Sequence, residues 1–220
     1  MYVNVSKKRK MFCGDNNKKK DLDGSDSVLS SDDLFGGSAS SENLIKIRNN
    51  HVYFYEEVSK KNVLKLIDEI HTLESNLKSK VDNIEIDKPT IYLHINSDGG
   101  CVYSALSCLD TLSNLDVKLV TIAEGTICSA ATIIYLAGKD RWMRKHTYTL
   151  IHQLRTFSGW KTHKELNNEL DTTNELQNML VNLYKEYTKI PNKKIESLMS
   201  KEIMMDSGTC LKYEFCNKVI

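Results

Sequence analysis

The sequence predicts an α/β domain in which largely parallel strands are covered by helices. From about residue 43, apolar blocks of strand-like and helix-like period alternate along the chain, and the strand-like blocks run through turn residues into helix-like ones. Size agrees with this: 220 residues with 40% hydrophobic side chains suffice for one sizeable domain plus a tail.

In order, His51-Val52-Tyr53-Phe54-Tyr55 reads as a strand, rich in aromatic and β-branched residues. Val63, Leu66, Ile67, Ile70, Leu73 and Leu77 then form a helical stripe with Ser59 as its cap. Ile91 to Ile95 is a second strand, ending in Asn96-Ser97-Asp98-Gly99-Gly100, and the next helix carries Ala105, Leu106, Leu109 and Leu112 inward. Val117 to Ala123 reads as a strand, Ser129 to Ala137 as a helix, and Tyr148 to Ile151 as a short strand. A long amphipathic helix over about Thr162 to Thr188 presents Leu166, Leu170, Leu176, Leu180, Leu183 and Tyr187, and stops before Pro191. Its length exceeds what a small core needs, so it reads either as an assembly element or as a long core helix. No internal repeat is present.

Residues 1–42 differ from the rest. Lys7-Lys8-Arg9-Lys10 and Lys18-Lys19-Lys20 precede a Ser, Asp and Gly stretch through Ser41, with too few large apolar residues to offset the entropy of ordering them. A disordered low-complexity tail over 1–42 and a folded domain over 43–220 are therefore expected. The basic quartet fits a solvated tail better than a nuclear address or a nucleic-acid contact.

The 30 Lys and Arg against 29 Asp and Glu give no reason to expect a nucleic-acid or anionic membrane partner. The six cysteines form no CxxC pair and have no histidine at zinc-finger spacing, so no metal is expected and free thiols are. The N-terminus lacks the apolar core of a secretion signal, and no run approaches ~18 apolar residues. A soluble, intracellular, cytoplasmic protein is the simplest expectation.

Ser129, in Gly125-Thr126-Ile127-Cys128-Ser129-Ala130-Ala131, is the candidate nucleophile, because its small neighbours leave room for a backbone turn and an approaching carbonyl. His152, after Leu150-Ile151, is the candidate base. The N–H groups of Gly100 and Ala130 are candidate oxyanion donors, although Gly99-Gly100 also suits a simple helix-starting turn. Each feature alone has a packing explanation. Their order along the chain points to acyl transfer.

That order, Ile95-Asn96-Ser97-Asp98-Gly99-Gly100, then Thr126-Ile127-Cys128-Ser129-Ala130-Ala131, then Ile151-His152-Gln153, closely resembles the proteolytic subunit of the Clp proteases, ClpP. The resemblance runs from about Val52 to the C-terminus and implies the ClpP/crotonase-like fold, a β-α-β head with a long protruding handle helix. It also implies a serine-type endopeptidase with a Ser-His-Asp triad, the first two roles falling on Ser129 and His152 and the oxyanion hole on Gly100 and Ala130. Glu202 stands where the family has its aspartate, with Asp206 as the competing position. A displaced carboxylate could cost on the order of a hundredfold in rate.

Other departures are local. Between Ser129 and His152 the chain is about two residues shorter than the family pattern, around Lys139-Asp140-Arg141. Asp98 and Leu154 replace prolines, the Arg155–Trp160 segment keeps only one glycine of a pair, and residues 1–42 have no counterpart in the family's axial loops. The resemblance implies two stacked seven-membered rings, a tetradecamer with the Thr162–Thr188 helix between rings, acting on unfolded proteins. It implies no cofactor on this chain, ATP being used by a partner AAA+ unfoldase of the ClpX or ClpA type. A catalytically weak or inactive ring subunit is the first alternative, and a crotonase-like acyl-CoA enzyme a more distant one.

Overall fold

The structure, a computed structural model, describes residues 45–81, 88–157 and 159–220. The tail expected over 1–42, with its basic clusters, lies outside them.

Two short strands, β1 (Ile45–Arg48) and β2 (His51–Phe54), form a hairpin. Helix α1 (Lys60–Val81) follows, its first turn capped by Ser59 Oγ, which accepts from Asn62 N at 3.2 Å. Strand β3 (Thr90–Ser97) leads through the double glycine into α2 (Val102–Ser113), which buries Ala105, Cys108, Leu109 and Leu112. Leu106, expected to point inward, is only partly buried.

Strand β4 (Lys118–Cys128) ends five residues beyond its apolar run, because its second half finds a separate partner. Its first half pairs in parallel with β5 (Asp140–Met143), and its end pairs in parallel with β6 (Tyr148–Leu150). Around Lys139-Asp140-Arg141, where the chain is shorter than the family pattern, the last two residues open β5. With β7 (Met205–Asp206) and β8 (Lys218–Val219), the described residues make an eight-stranded sheet of order β1-β2-β3-β4-β5-β8, and β6 and β7 extend from β4. All pairings are parallel except β1·β2 and β6·β7.

Val52, Phe54, Ile91, Leu93 and Ile95 are buried on one sheet face together with apolar residues of α1 and α2. The alternating positions His51, Tyr53, Tyr92, His94 and Trp142 occupy the opposite face and carry a polar and aromatic network.

Helix α4 (His163–Tyr187) runs 25 residues and begins in a capping box, Thr162 Oγ1 accepting from Glu165 N while the Glu165 carboxylate accepts from Thr162 N. Its first half is almost wholly exposed, Leu166 and Leu170 included, whereas Leu180 and Tyr184 are buried in the head. The stripe seen in the sequence is therefore divided between a projecting half and a core half. Helices α5 (Asn192–Lys201) and α6 (Ser207–Lys212) complete the chain. The half-buried Arg141 fastens this end: its guanidinium donates to the carbonyls of Phe215, Tyr187 and Glu214 at 2.8–3.0 Å.

Candidate functional site

Strand β4 ends at Cys128 and the chain turns sharply into α3 (Ala130–Tyr135). The turn falls on Ser129, with φ 55° and ψ −126°, a conformation costly for a residue with a β-carbon. The sequence suggested that the helix begins at Ser129; the residue instead stands just before it, where its hydroxyl is presented rather than folded into the helix. A non-glycine residue forced into such a strand-to-helix turn is how α/β hydrolases expose a nucleophile.

Three contacts hold the turn. Ser129 N donates to Leu150 O at 2.7 Å, tying this residue to β6 two residues before His152. Thr132 Oγ1 donates to Ser129 O at 2.6 Å. Because that bond uses the only Thr132 hydroxyl proton, the Tyr184 hydroxyl 2.7 Å away is the donor to Thr132 Oγ1. Burial pushes Tyr184 up to about 12, so it remains a donor at any ordinary pH.

The double glycine approaches from the neighbouring strand. Gly99 has φ +96°, and a β-carbon there would lie 2.6 Å from Cys128 O and 2.7 Å from Ser129 Cβ. Gly100 is pressed just as closely against Val58 by a short parallel bridge, Val58 N to Gly99 O at 2.8 Å and Cys101 N to Val58 O at 2.7 Å. Ser97 braces the turn from within, its hydroxyl donating to Glu56 O and accepting from Gly99 N. No acceptor among the described residues takes the N–H of Gly100 or of Ala130. Two backbone donors are thus left free beside the Ser129 hydroxyl.

Gly100, Ser129, Ala130 and His152 line one cleft of about 930 Å3, walled on its other sides by the start of α1, the loop after His152 and α4. That volume suits a ligand the size of a short peptide. His152 is half-buried, and its Nδ1–H donates to the Gln153 carbonyl at 2.6 Å, since a carbonyl can only accept. In the neutral imidazole that bond leaves Nε2 free of a proton, the tautomer a general base requires. No hydrogen bond joins Ser129 Oγ to His152.

Glu202 sits at the C-terminal end of α5 in a left-handed conformation, φ 50°. Both its carboxylate oxygens accept from Arg155 Nη2, at 2.5 and 2.7 Å. That bond, aided by the charges of Arg155 and His152 and opposed by burial, holds the carboxyl below its ordinary range. The charge of His152 thus favours the ionised carboxylate, while the Glu202 oxygens are held by Arg155. Asp206, the competing candidate, pairs with Tyr148 at the sheet edge, where its carboxylate caps α6 by accepting from Thr209 N at 2.7 Å. That cap commits Asp206 to the fold rather than to the cleft.

Among the described residues, no group of three His, Cys, Asp or Glu side chains could hold a metal ion. No helix there is long and apolar enough to cross a membrane. The residues the sequence did not single out are Ser97, Thr132, Tyr184 and Arg155. The first three act through tertiary contacts that leave no local pattern, and Arg155 was visible only as a basic residue beyond the histidine motif.

A strand-to-helix serine turn beside a glycine turn, both opening on a peptide-sized cleft, sets the chain among α/β proteins equipped for acyl chemistry. Comparison with known proteins gives the family. The model of the Clp protease family matches residues 38–220, and the chain belongs to that family. It is 23% identical over 172 residues to ATP-dependent Clp protease proteolytic subunit 6, chloroplastic, of Arabidopsis thaliana, covering 77% of this chain and 59% of that one. It is 28% identical over 140 residues to the ATP-dependent Clp protease proteolytic subunit of Chlorokybus atmophyticus, covering 63% of this chain and 62% of that one. The match thus spans about three-fifths of the length of these relatives. Among solved structures, a ClpP1 point mutant from Listeria monocytogenes superposes with a TM-score of 0.66 at 20% identity, over 78% of this chain and 91% of the other, and shares the fold.

Proposed function

We propose that the chain is a subunit of an ATP-dependent Clp-type serine endopeptidase that hydrolyses peptide bonds of unfolded proteins and peptides. The observation that carries this reading is the convergence of Ser129, His152 and the free N–H groups of Gly100 and Ala130 on one cleft. Ser129 Oγ attacks the scissile carbonyl as His152 Nε2 takes its proton. The N–H groups of Gly100 and Ala130 receive the oxyanion. The imidazolium then protonates the leaving amine, and water, activated by the same imidazole, releases the acyl group.

Glu202 is the carboxylate behind the imidazole. It supplies the negative charge that the Gln153 carbonyl cannot, and so stabilises the imidazolium. The cleavage uses no metal or organic cofactor in this reading, and ATP is consumed by a partner AAA+ unfoldase of the ClpX or ClpA type. The exposed Leu166 and Leu170 on the projecting half of α4, with the exposed Phe157 and Trp160 before it, supply apolar surface for stacking two seven-membered rings. The thiols of Cys101, Cys108, Cys128, Cys210 and Cys216, none of them in a disulfide among the described residues, favour a reducing compartment inside the cell, either the cytoplasm or an organelle such as the chloroplast named for the Arabidopsis relative.

A second reading, a weak or inactive ring subunit, is favoured by the capture of Glu202 by Arg155. A fluorophosphonate probe separates the two. Labelling at Ser129 that vanishes in Ser129→Ala and falls about tenfold or more in Glu202→Ala is expected of the peptidase. No labelling in an assembled sample establishes the structural subunit. Labelling indifferent to Glu202→Ala but lost in Asp206→Ala would overturn the choice of carboxylate.

A further inference from the structure

We propose that Arg155 is a brake on the site: it holds the Glu202 carboxylate away from His152, and the chain gains its full activity when that ion pair opens. The proposal rests on the peptidase reading for its catalytic consequence. The contact itself is independent of that reading.

The geometry presents two competitors for one carboxylate. Arg155 Nη2 engages both Glu202 oxygens, while the Nδ1–H of His152 is donated to the Gln153 carbonyl. The imidazole is thereby kept in the tautomer of a base, with a neutral partner where a charged one would stabilise the imidazolium. The charges of Arg155 and His152 both favour the ionised Glu202 carboxylate. Arg155 also lines the cleft, three residues beyond His152 on the same loop, so anything that reorders this loop acts on both ends of the competition.

The hold is weak enough to be released. Both side chains are about half exposed, 55% for Arg155 and 43% for Glu202. Solvent screening limits such a pair to a bias of up to about fivefold. A substrate backbone lying in the cleft, or a neighbouring subunit ordering the loop, is sufficient to shift it. Arg155 acts through Glu202 and is a positioning residue. Its removal is expected to change turnover rather than substrate binding.

The test uses the assembled protein with Arg155→Met, Arg155→Lys, Glu202→Gln and the Arg155→Met/Glu202→Gln double variant. A fluorogenic peptide gives kcat and KM. Diethyl pyrocarbonate modification of His152, followed by peptide mass mapping across pH, gives its titration without requiring activity. The other charges lining the cleft, Glu57, Lys60, Lys61 and Glu169, are common to every variant.

Arg155→Met is expected to raise kcat about fivefold at unchanged KM, and to move the His152 titration upward by about half a unit or more as the freed carboxylate reaches the imidazole. Arg155→Lys keeps a cation and retains most of the brake. The double variant loses both effects. An unmoved His152 titration, a gain that survives Glu202→Gln, or a change confined to KM overturns the proposal. If the titration moves while Ser129 is labelled by fluorophosphonate in no variant, the brake stands and the peptidase reading falls.

Discussion

A β-carbon at position 99 would stand 2.6 Å from the Cys128 carbonyl oxygen and 2.7 Å from Ser129 Cβ, on a backbone with φ +96°. Both the contact and the dihedral penalise any side chain, and the atoms that would have to move belong to the nucleophile's own turn. Gly99→Ala is therefore expected to reduce fluorophosphonate labelling of Ser129 by about a hundredfold, as displacement of a reacting group by about 1 Å does. It should also cost about 1–3 kcal/mol in chemical denaturation. Labelling at the wild-type rate would show that the turn tolerates rearrangement. The need for glycine was legible in the sequence at this position, but what the glycine makes room for was not. Gly99 and Ser129 are 30 positions apart and meet only because β3 and β4 are neighbours.

Helix α4 does two things along its length, and Tyr184 is where it reaches the site. Its hydroxyl passes a hydrogen bond through Thr132 to the Ser129 carbonyl. Tyr184→Phe keeps the ring in the core and leaves Thr132 without its donor. A loss of about 1 kcal/mol in stability is expected, the worth of one buried hydrogen bond, together with a fall in kcat at nearly constant KM. An equal change in kcat and stability for Tyr184→Phe and for an exposed control such as Leu64→Ala, on α1 and outside the cleft, would remove Tyr184 from this role. The bounds of the helix were legible from Thr162 and Pro191, because capping and chain breaking are local. It did not separate the projecting half from the buried one, since leucines recur at the same period in both.

Across the whole molecule, the hairpin, the central strands and the strand beyond them are joined on the sheet's second face by one polar network. Glu124 accepts from Tyr55 at 2.5 Å, from His94 at 2.9 Å and from Arg144 at 3.0 Å. His94 Nδ1–H is thus committed to the carboxylate, and a neutral His94 then accepts at Nε2 from His51 Nδ1–H at 2.9 Å. Burial works to raise the Glu124 carboxyl, but the hydrogen bonds from Tyr55, His94 and Arg144 outweigh it and leave the carboxyl lowered. Burial, with the neighbouring His94, lowers His51 from 6.5.

Both shifts have the same sign for stability. A lowered carboxyl contributes above its unfolded value of about 4.5 and loses that contribution as pH falls through its folded value. A lowered histidine likewise contributes above 6.5 and loses it on acidification. The melting temperature should therefore drop in two stages on going from pH 8 to pH 4. Glu124→Gln should melt lower at pH 7 and lose the stage below about 4.5. Parallel pH curves for wild type and variant would contradict this account.

The order of strands and helices, the cap and stop of the long helix, and the succession of glycine turn, serine and histidine were all set by local chemistry. Turn residues, apolar period and small side chains act over a few positions, and these are written along the chain. The pairing of β4 with two different strands, the positive φ of Ser129 and the choice of partner for Glu202 arise from segments far apart in sequence. A carboxylate at 202 was visible from the residues. That Arg155 holds it and the Gln153 carbonyl faces the imidazole depends on three-dimensional competition, because charge and hydrogen bonding go to whichever partner the fold brings within reach.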